Sequence, residues 1–181
     1  SELTYAGEEV YHGTPSGVDN TVVAYGRPVW FVRGHAPEVF AAAAPFQLVI
    51  ADSGLAGPTR ALVDLVRARR AADPDRYEVW FDEIGGIVLA ARQAIEAGRP
   101  NELGPLFDRN QALLERIGVS TPLLDRLIAA ARSAGAGGAK LSGAGGGGNI
   151  IALVDNDTVE EVRAALLAAG AKRIISTVIA A

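Results

Sequence analysis

Near its start, the 181-residue sequence places three oxygen-bearing side chains close together: Ser16, Asp19 and Asn20. They close a run of turn-forming residues, and an apolar segment follows from Thr21. A carboxylate held at the entrance of a strand can accept a proton from a substrate hydroxyl or hold a cation. The spacing fits equally well with Asp19 capping a turn and with Asn20 in a left-handed turn position. The residues alone leave both interpretations open.

Other side chains of this region could act as a base or as metal ligands. His12 is either a structural hydrogen-bonding residue or a base, while Glu8 and Glu9 fit solvent-facing charges. The whole sequence contains two histidines and no cysteine. That composition excludes disulfides and thiolate nucleophiles, and it argues against a His-rich metal cage.

A glycine-rich run, Gly-Ala-Gly-Gly-Gly-Gly, occupies positions 143–148 between two predicted strands. Glycine adopts positive φ freely, and successive N–H groups of such a backbone can point at an anion. The run is not a Walker A loop, because no Gly-Lys-Ser/Thr closes it, and it does not open a helix as a dinucleotide motif does. A tight hairpin needs only two or three turn residues. Either the turn is simply glycine-rich, or its backbone lies against something such as a phosphate.

Hydrophobic periodicity and turn residues predict the elements that must position these two segments. We expect a β-hairpin at 21–25 and 29–33, and a linker or a loop with a short helix at 34–45. Strands are expected at 46–51, 139–141, 150–154 and 174–179. Helices are expected at 58–70, 74–97, 100–117, 122–133 and 157–169, with a weak point at Gly85-Gly86. This order predicts an α+β fold: a ferredoxin-like core with a largely antiparallel sheet and extra helices on one face.

The composition indicates a soluble globular protein, which we expect to be cytoplasmic. Apolar residues make up 49% of the sequence, and 17 basic against 21 acidic residues give a net charge of −4. This balance argues against a nucleic-acid-binding protein, which needs a basic stripe. No stretch reaches the roughly 18 apolar residues of a membrane span, and no charged and apolar leader opens the sequence. We therefore expect neither a nucleic acid nor a membrane as a partner.

Three segments, in this order, resemble the kinases of the galactokinase–homoserine kinase–mevalonate kinase–phosphomevalonate kinase (GHMP) superfamily, and within it the mevalonate kinase branch. Residues 12–20, His-Gly-Thr-Pro-Ser-Gly-Val-Asp-Asn, resemble the segment with the catalytic aspartate. Residues 140–149 resemble the C-terminal glycine motif, and residues 110–125 resemble the helix-turn-helix before it. The resemblance covers nearly the whole chain. It implies a C-terminal α+β domain at 35–181, preceded at 1–34 by the last elements of an N-terminal kinase domain.

The resemblance implies a kinase that uses ATP and Mg²⁺ to phosphorylate the primary hydroxyl of mevalonate, giving 5-phosphomevalonate for isoprenoid precursor synthesis. Asp19 would take the proton of that hydroxyl as its oxygen attacks the γ-phosphate, and Glu8 would help to bind Mg²⁺. The resemblance places four residues along the substrate pocket: His12, Ser16, Gly17 and Thr59. It places six residues at the nucleotide's phosphates: Gly143, Ala144, Gly145, Gly146, Gly147 and Gly148. Phosphoryl transfer needs mainly positioning and charge neutralisation, which such groups supply.

The sequence also departs from the family pattern. It contains no match to the main phosphate-binding loop of the N-terminal half, Pro-x-x-x-Gly-Leu-x-Ser-Ser-Ala, or to the lysine that assists the aspartate. We therefore expect this chain to be the C-terminal half of a longer kinase, to need the N-terminal half and to be inactive by itself. Gly57 stands where many mevalonate kinases carry an arginine for the substrate carboxylate. Arg60 or a residue of the other half would then take that role.

Two alternative functions stay open. The chain could belong to a superfamily kinase for another alcohol (phosphomevalonate, homoserine, a sugar or another mevalonate-derived acid), although no basic cluster for an extra phosphate lies near 16–20. It could also be a non-catalytic binding or dimerisation module, which would not need Asp19. A homodimer is left open as well, because one apolar stripe fits either the core or a second subunit: Trp80, Ile84, Ile87 and Val88.

Overall fold

The computed structural model describes residues 21–22, 25, 28–32, 34–57 and 59–181. Within them, two short strands, β1 (Val29–Trp30) and β2 (Glu38–Val39), pair in an antiparallel hairpin. Thr21, Val22 and Tyr25 are helical, so the predicted strand at 21–25 is wrong. A short apolar run can form helix or strand, because periodicity does not distinguish them over so few residues. The partner of β1 lies instead in the segment that we expected to be a linker.

Four longer strands form an antiparallel sheet in the order β4-β5-β3-β6. These strands are β3 (Phe46–Asp52), β4 (Gly138–Ser142), β5 (Asn149–Val154) and β6 (Arg173–Ile179). The first and third of them along the chain, β3 and β5, lie in the centre of the sheet. This is the strand order of a ferredoxin-like sheet, so the predicted α+β class and ferredoxin-like core are confirmed.

The helices begin and end close to their predicted bounds. They are α1 (Thr59–Ala72), α2 (Pro74–Glu96), α3 (Leu103–Ile117), α4 (Pro122–Ser133) and α5 (Val159–Ala168), with a 3-10 turn at Pro100–Glu102. The side chain of Thr121 caps α4 by accepting a hydrogen bond from the N–H of Leu124 at 3.3 Å, and proline follows at the first helical position. Gly118 ends α3 in the left-handed conformation, with φ of 85°.

Helix α2 runs through Gly85 and Gly86 without interruption, so the helix does not break at the expected weak point. Burial of the opposite side of the helix outweighs the cost of a mid-helix glycine, about 1 kcal/mol each. Three residues of the predicted apolar stripe face the core: Trp80, Ile84 and Ile87. The core interpretation is confirmed for them, whereas Val88 is 46% exposed.

The main core fills the space between one face of the sheet and the helices. Alternate strand residues point into it, among them Val49, Ala51, Ile150 and Ala152. They meet buried residues of α4 and α5, including Leu124, Leu127, Val162 and Leu166. The intervening strand residue Leu153 joins a smaller cluster, in which it meets Ala94 and Leu103.

Helix α3 covers the free edge of β4. The N–H of Ala139 donates to Oδ1 of Asp108 at 3.0 Å, and the N–H of Leu141 donates to Oε1 of Gln111 at 3.0 Å. From α4, Nη2 of Arg132 donates to the carbonyl of Ala139 at 3.1 Å. These side chains satisfy the backbone groups that a fifth strand would otherwise bind.

Arg92 of α2 holds the β1–β2 hairpin. Its guanidinium donates to the carboxylate of Glu38 on β2 and, at 2.9 Å, to that of Glu96. The same group lies over the rings of Trp30 and Phe40, at 4.9 and 5.7 Å from their centroids. The predicted domain boundary after residue 34 falls within this hairpin, and the division into two domains stays a prediction.

Candidate functional site

The predicted site residues divide into two groups according to what the structure describes. Five of them lie outside the described residues: Glu8, His12, Ser16, Gly17 and Asp19. Their roles as proton acceptor, metal ligand and substrate contacts stay predictions. Thr59 and the glycine run at 143–148 are described, and their surroundings show what this part of the site can do.

The glycine run forms the loop between β4 and β5, called here the glycine loop (residues 143–148). Positive φ angles occur at five of its residues, namely Gly143 (101°), Gly145 (84°), Gly146 (73°), Gly147 (154°) and Gly148 (75°). No described residue other than glycine has a positive φ. This backbone is therefore one that residues with a Cβ adopt only at a cost.

One side of the glycine loop is bound to the segment that follows β3. The N–H of Gly148 donates to the carbonyl of Leu55 at 2.7 Å, and the N–H of Ser53 donates to the carbonyl of Gly148 at 2.9 Å. Ser53 is buried, and its hydroxyl accepts a hydrogen bond from the N–H of Leu55 at 3.3 Å. A Cβ on Gly57 would collide with the carbonyl oxygen of Gly145. The two backbones are thus in direct contact, with no space for a side chain at position 57.

The other side of the glycine loop rests on the turn between α3 and α4. The N–H of Gly146 donates to the carbonyl of buried Val119 at 2.8 Å. A Cβ on Gly145 would collide with that same carbonyl oxygen. The sequence signal for a glycine-rich turn therefore has a structural cause in addition to the predicted one: the loop packs against backbone on both sides.

Within the described part of the chain, four N–H groups of the loop have no hydrogen-bond partner. Those of Gly146 and Gly148 bind protein carbonyls, whereas those at positions 143, 144, 145 and 147 make no hydrogen bond to any residue that the structure describes. The segments on either side of the loop lead directly into α1 at Thr59 and α4 at Pro122. Helix N-termini and unpaired N–H groups both favour an anion. The arrangement is suited to phosphate oxygens.

Thr59 is exposed at the start of α1, and its N–H donates to the carbonyl of Gly57 at 2.8 Å. Because Gly57 lies against the glycine loop, the structure brings the Thr59 segment and that loop together although they are distant in the sequence. Arg60 is the next residue of the helix and is exposed as well.

Two polar residues near the loop went unassigned in the sequence analysis. Lys140, on β4, donates from Nζ to the carbonyl of Leu141 at 2.6 Å, and burial lowers the pKa of its ammonium to about 8. Gln111 is completely buried on α3. A polar residue on the apolar side of an amphipathic helix was the available signal for Gln111.

Some candidate sites are not supported by the part of the chain that the structure describes. Among those residues, no group of three or more His, Cys, Asp or Glu side chains could hold a metal ion. No described helix combines the length and the apolar character needed to cross a membrane. A cavity of about 510 Å³, lined among others by Gln47, Asp155 and Val178, lies at the opposite end of the sheet from the glycine loop. It is not part of the candidate site.

Comparison with known proteins identifies the domain that carries this site. Residues 91–172 match the family described as GHMP kinases C terminal. The chain therefore carries a GHMP kinase C-terminal domain, which confirms the resemblance to the superfamily.

Curated proteins that are similar in sequence to this chain include mevalonate kinases. The one from Pyrococcus furiosus is 35% identical over 182 residues, which are 96% of this chain and 53% of the relative. The one from Arabidopsis thaliana is 30% identical over 158 residues, covering 78% of this chain and 42% of the relative. The chain thus spans about half the length of the curated relatives it matches.

Solved structures agree with this relationship. L. major mevalonate kinase, crystallised in complex with R-mevalonate, superposes with a TM-score of 0.89 at 33% identity, covering 96% of this chain and 55% of that one. Mevalonate kinase from methicillin-resistant Staphylococcus aureus gives a TM-score of 0.71 at 28% identity with the same coverage. The predicted resemblance to the mevalonate kinase branch is confirmed.

Proposed function

We propose that this chain is the C-terminal part of an ATP-dependent kinase that phosphorylates the primary hydroxyl of mevalonate to give 5-phosphomevalonate, in isoprenoid precursor synthesis. One observation carries the proposal: the glycine loop lies against the segment that leads to Thr59, and four of its N–H groups have no hydrogen-bond partner among the described residues. Relatives that are named mevalonate kinases, one of them solved with R-mevalonate, support the choice of substrate.

The glycine loop would bind phosphate oxygens of ATP through its unpaired N–H groups. Asp19 would take the proton of the alcohol as the hydroxyl oxygen bonds to the γ-phosphorus and the bond to the ADP oxygen breaks. His12, Ser16, Gly17 and Thr59 would contact the substrate. Mg²⁺, when bound, neutralises phosphate charge. The described residues contain no group of three or more His, Cys, Asp or Glu side chains that could hold it. The family resemblance makes Glu8 its proposed ligand.

The crowding at Gly57 bears on recognition of the substrate carboxylate. A side chain at this position would collide with the glycine loop, so the arginine that many mevalonate kinases carry there has no space in this chain. Arg60 is three positions further along, exposed on the first turn of α1, and makes no ion pair with any residue in the described ranges. We assign the carboxylate to Arg60, because a guanidinium can bind both carboxylate oxygens.

We further propose that the reaction needs an N-terminal half that this chain does not supply. The chain spans about half of its relatives, and it lacks a match to the phosphate-binding loop of the N-terminal half. Turnover by the chain alone should therefore be negligible, and the assembled enzyme is proposed to act in the cytoplasm.

The test is ADP release by the full-length protein that carries this chain, supplied with Mg-ATP and either mevalonate or phosphomevalonate. We expect turnover with mevalonate, and we expect the Asp19→Asn variant to lose it while keeping the wild-type unfolding midpoint. Turnover with phosphomevalonate alone would show that the protein is a kinase whose substrate is phosphomevalonate instead of mevalonate. No turnover with any alcohol, in a folded protein that still binds a partner, would favour the non-catalytic module.

A further inference from the structure

The amide of Gln111 connects β4, which runs into the glycine loop, with the turn between α3 and α4 on which the loop rests. Its Oε1 accepts a hydrogen bond from the N–H of Leu141, and its Nε2 donates to Oγ of Ser120 at 3.3 Å and to Oε1 of Glu115 at 3.0 Å. Gln111 itself is fully buried. Because a buried amide is costly unless its donor and acceptor are satisfied, its position is strongly determined by these partners.

Both partner segments adjoin the glycine loop. Leu141 belongs to β4, which runs directly into the loop, so its position determines where the loop begins. Ser120 follows Val119, whose carbonyl binds the N–H of Gly146 and limits the space at Gly145. One side chain therefore fixes the strand that enters the loop relative to the turn on which the loop rests.

We propose that Gln111 is a positioning residue for the nucleotide: it keeps the glycine loop in the conformation that presents its unpaired N–H groups to phosphate. The proposal rests on the proposed function in assigning the ligand of the loop. Among the described residues, Gln111 makes no hydrogen bond to the loop itself, and it acts through Leu141 and Ser120.

Asp108 provides a matched control on the same helix. Its carboxylate accepts a hydrogen bond from the N–H of Ala139, just as Gln111 accepts one from Leu141. Ala139 lies on the same strand, two residues further from the loop. Its other bond is to Arg132 on α4 and not to the turn at Ser120. If edge contacts merely stabilise the sheet, the loss of either residue should have the same effect on the loop.

The experiment compares Gln111→Leu, Ser120→Ala and Asp108→Ala in the full-length protein. Three quantities are measured: amide hydrogen exchange in residues 143–148, the KM for Mg-ATP and the KM for mevalonate. For Gln111→Leu we expect exchange in the loop and the KM for Mg-ATP to rise about tenfold, with the KM for mevalonate unchanged. Ser120→Ala removes the hydrogen bond from Nε2 of Gln111 together with the bond from the Ser120 hydroxyl to Asp125. It should raise loop exchange and the KM for Mg-ATP by less than Gln111→Leu does. Asp108→Ala should leave loop exchange and the KM for Mg-ATP at their wild-type values.

The outcomes separate this inference from the proposed function. Equal effects of Gln111→Leu and Asp108→Ala on loop exchange would overturn the positioning role. So would a Gln111→Leu protein with wild-type exchange and wild-type KM for Mg-ATP. If the wild-type protein transfers no phosphate, the proposed function fails, and loop exchange still decides the role of Gln111. Should Gln111→Leu not fold, Ser120→Ala against Asp108→Ala gives the same comparison.

Discussion

Replacing Gly145 by alanine should destabilise the protein by about 1–3 kcal/mol more than the same change at Gly143. Both glycines have positive φ, 84° and 101°, so an alanine at either position costs about 1–2 kcal/mol of backbone strain. At Gly145 the added Cβ would collide with the carbonyl oxygen of Val119, whereas a Cβ at Gly143 meets no described residue within 4 Å. Overpacking of this kind costs about 1–3 kcal/mol. The expected loss is about 3 kcal/mol for Gly145→Ala and about 1–2 kcal/mol for Gly143→Ala.

The assay is urea unfolding of both variants and the wild type, followed by tryptophan fluorescence and fitted with a common slope. For a chain of this size, a loss of about 3 kcal/mol lowers the thermal midpoint by about 6–12 °C, which a thermal melt checks independently. Because the two substitutions add the same methyl group to the same loop, their difference isolates the contact with Val119. Equal destabilisation by the two variants would refute the argument that the loop is glycine-rich because it packs against this turn.

Two further predictions concern residues outside the loop. Arg92→Met removes the guanidinium from Glu38 and Trp30. Limited proteolysis within 28–40 should therefore become several-fold faster, while the midpoint of global unfolding changes little. An unchanged rate of cleavage would exclude the anchoring role of Arg92. Lys140 has a folded-state pKa of about 8, below the usual 10.5, so its protonated form is disfavoured by the fold. Lys140→Met should therefore be more stable than the wild type, by up to about 3 kcal/mol, below pH 8. This advantage should shrink as the pH rises from 8 to 10.5, and an advantage that is constant with pH in urea unfolding would contradict the assigned pKa.

Much of the C-terminal fold could be predicted because its boundaries carry strong local signals. The cap at Thr121 with the following proline, and the glycine at the end of α3, each specify a helix end by its own chemistry. The strands that form the sheet were recognisable from apolar segments between turn residues. At 21–25 no such signal exists, and the short apolar run turned out helical.

The sequence predicts the individual segments of the site but does not predict the contacts between them. The glycine run stood out by composition alone, but nothing local reveals that Leu55 and Val119 provide the carbonyls it binds. Likewise, the sequence shows Gly57 only as a departure from the family pattern. The structure shows that the backbone of Gly145 leaves no space for a side chain there. Close approaches between distant segments depend on tertiary packing, which propensity and periodicity do not encode.

The glycine loop has a consequence for how the chain folds. The segment after β3 and the turn between α3 and α4 both lie far from the loop in the sequence, so the hydrogen bonds that hold the loop against them are long-range. Such contacts require the chain to bring distant segments together, which lowers its conformational entropy before the contacts can stabilise the fold. A partly folded chain with its helices formed but its sheet incomplete would therefore lack the loop conformation altogether. Any ligand that requires this loop binds the completed domain alone, and by mass action it stabilises the whole domain rather than the loop.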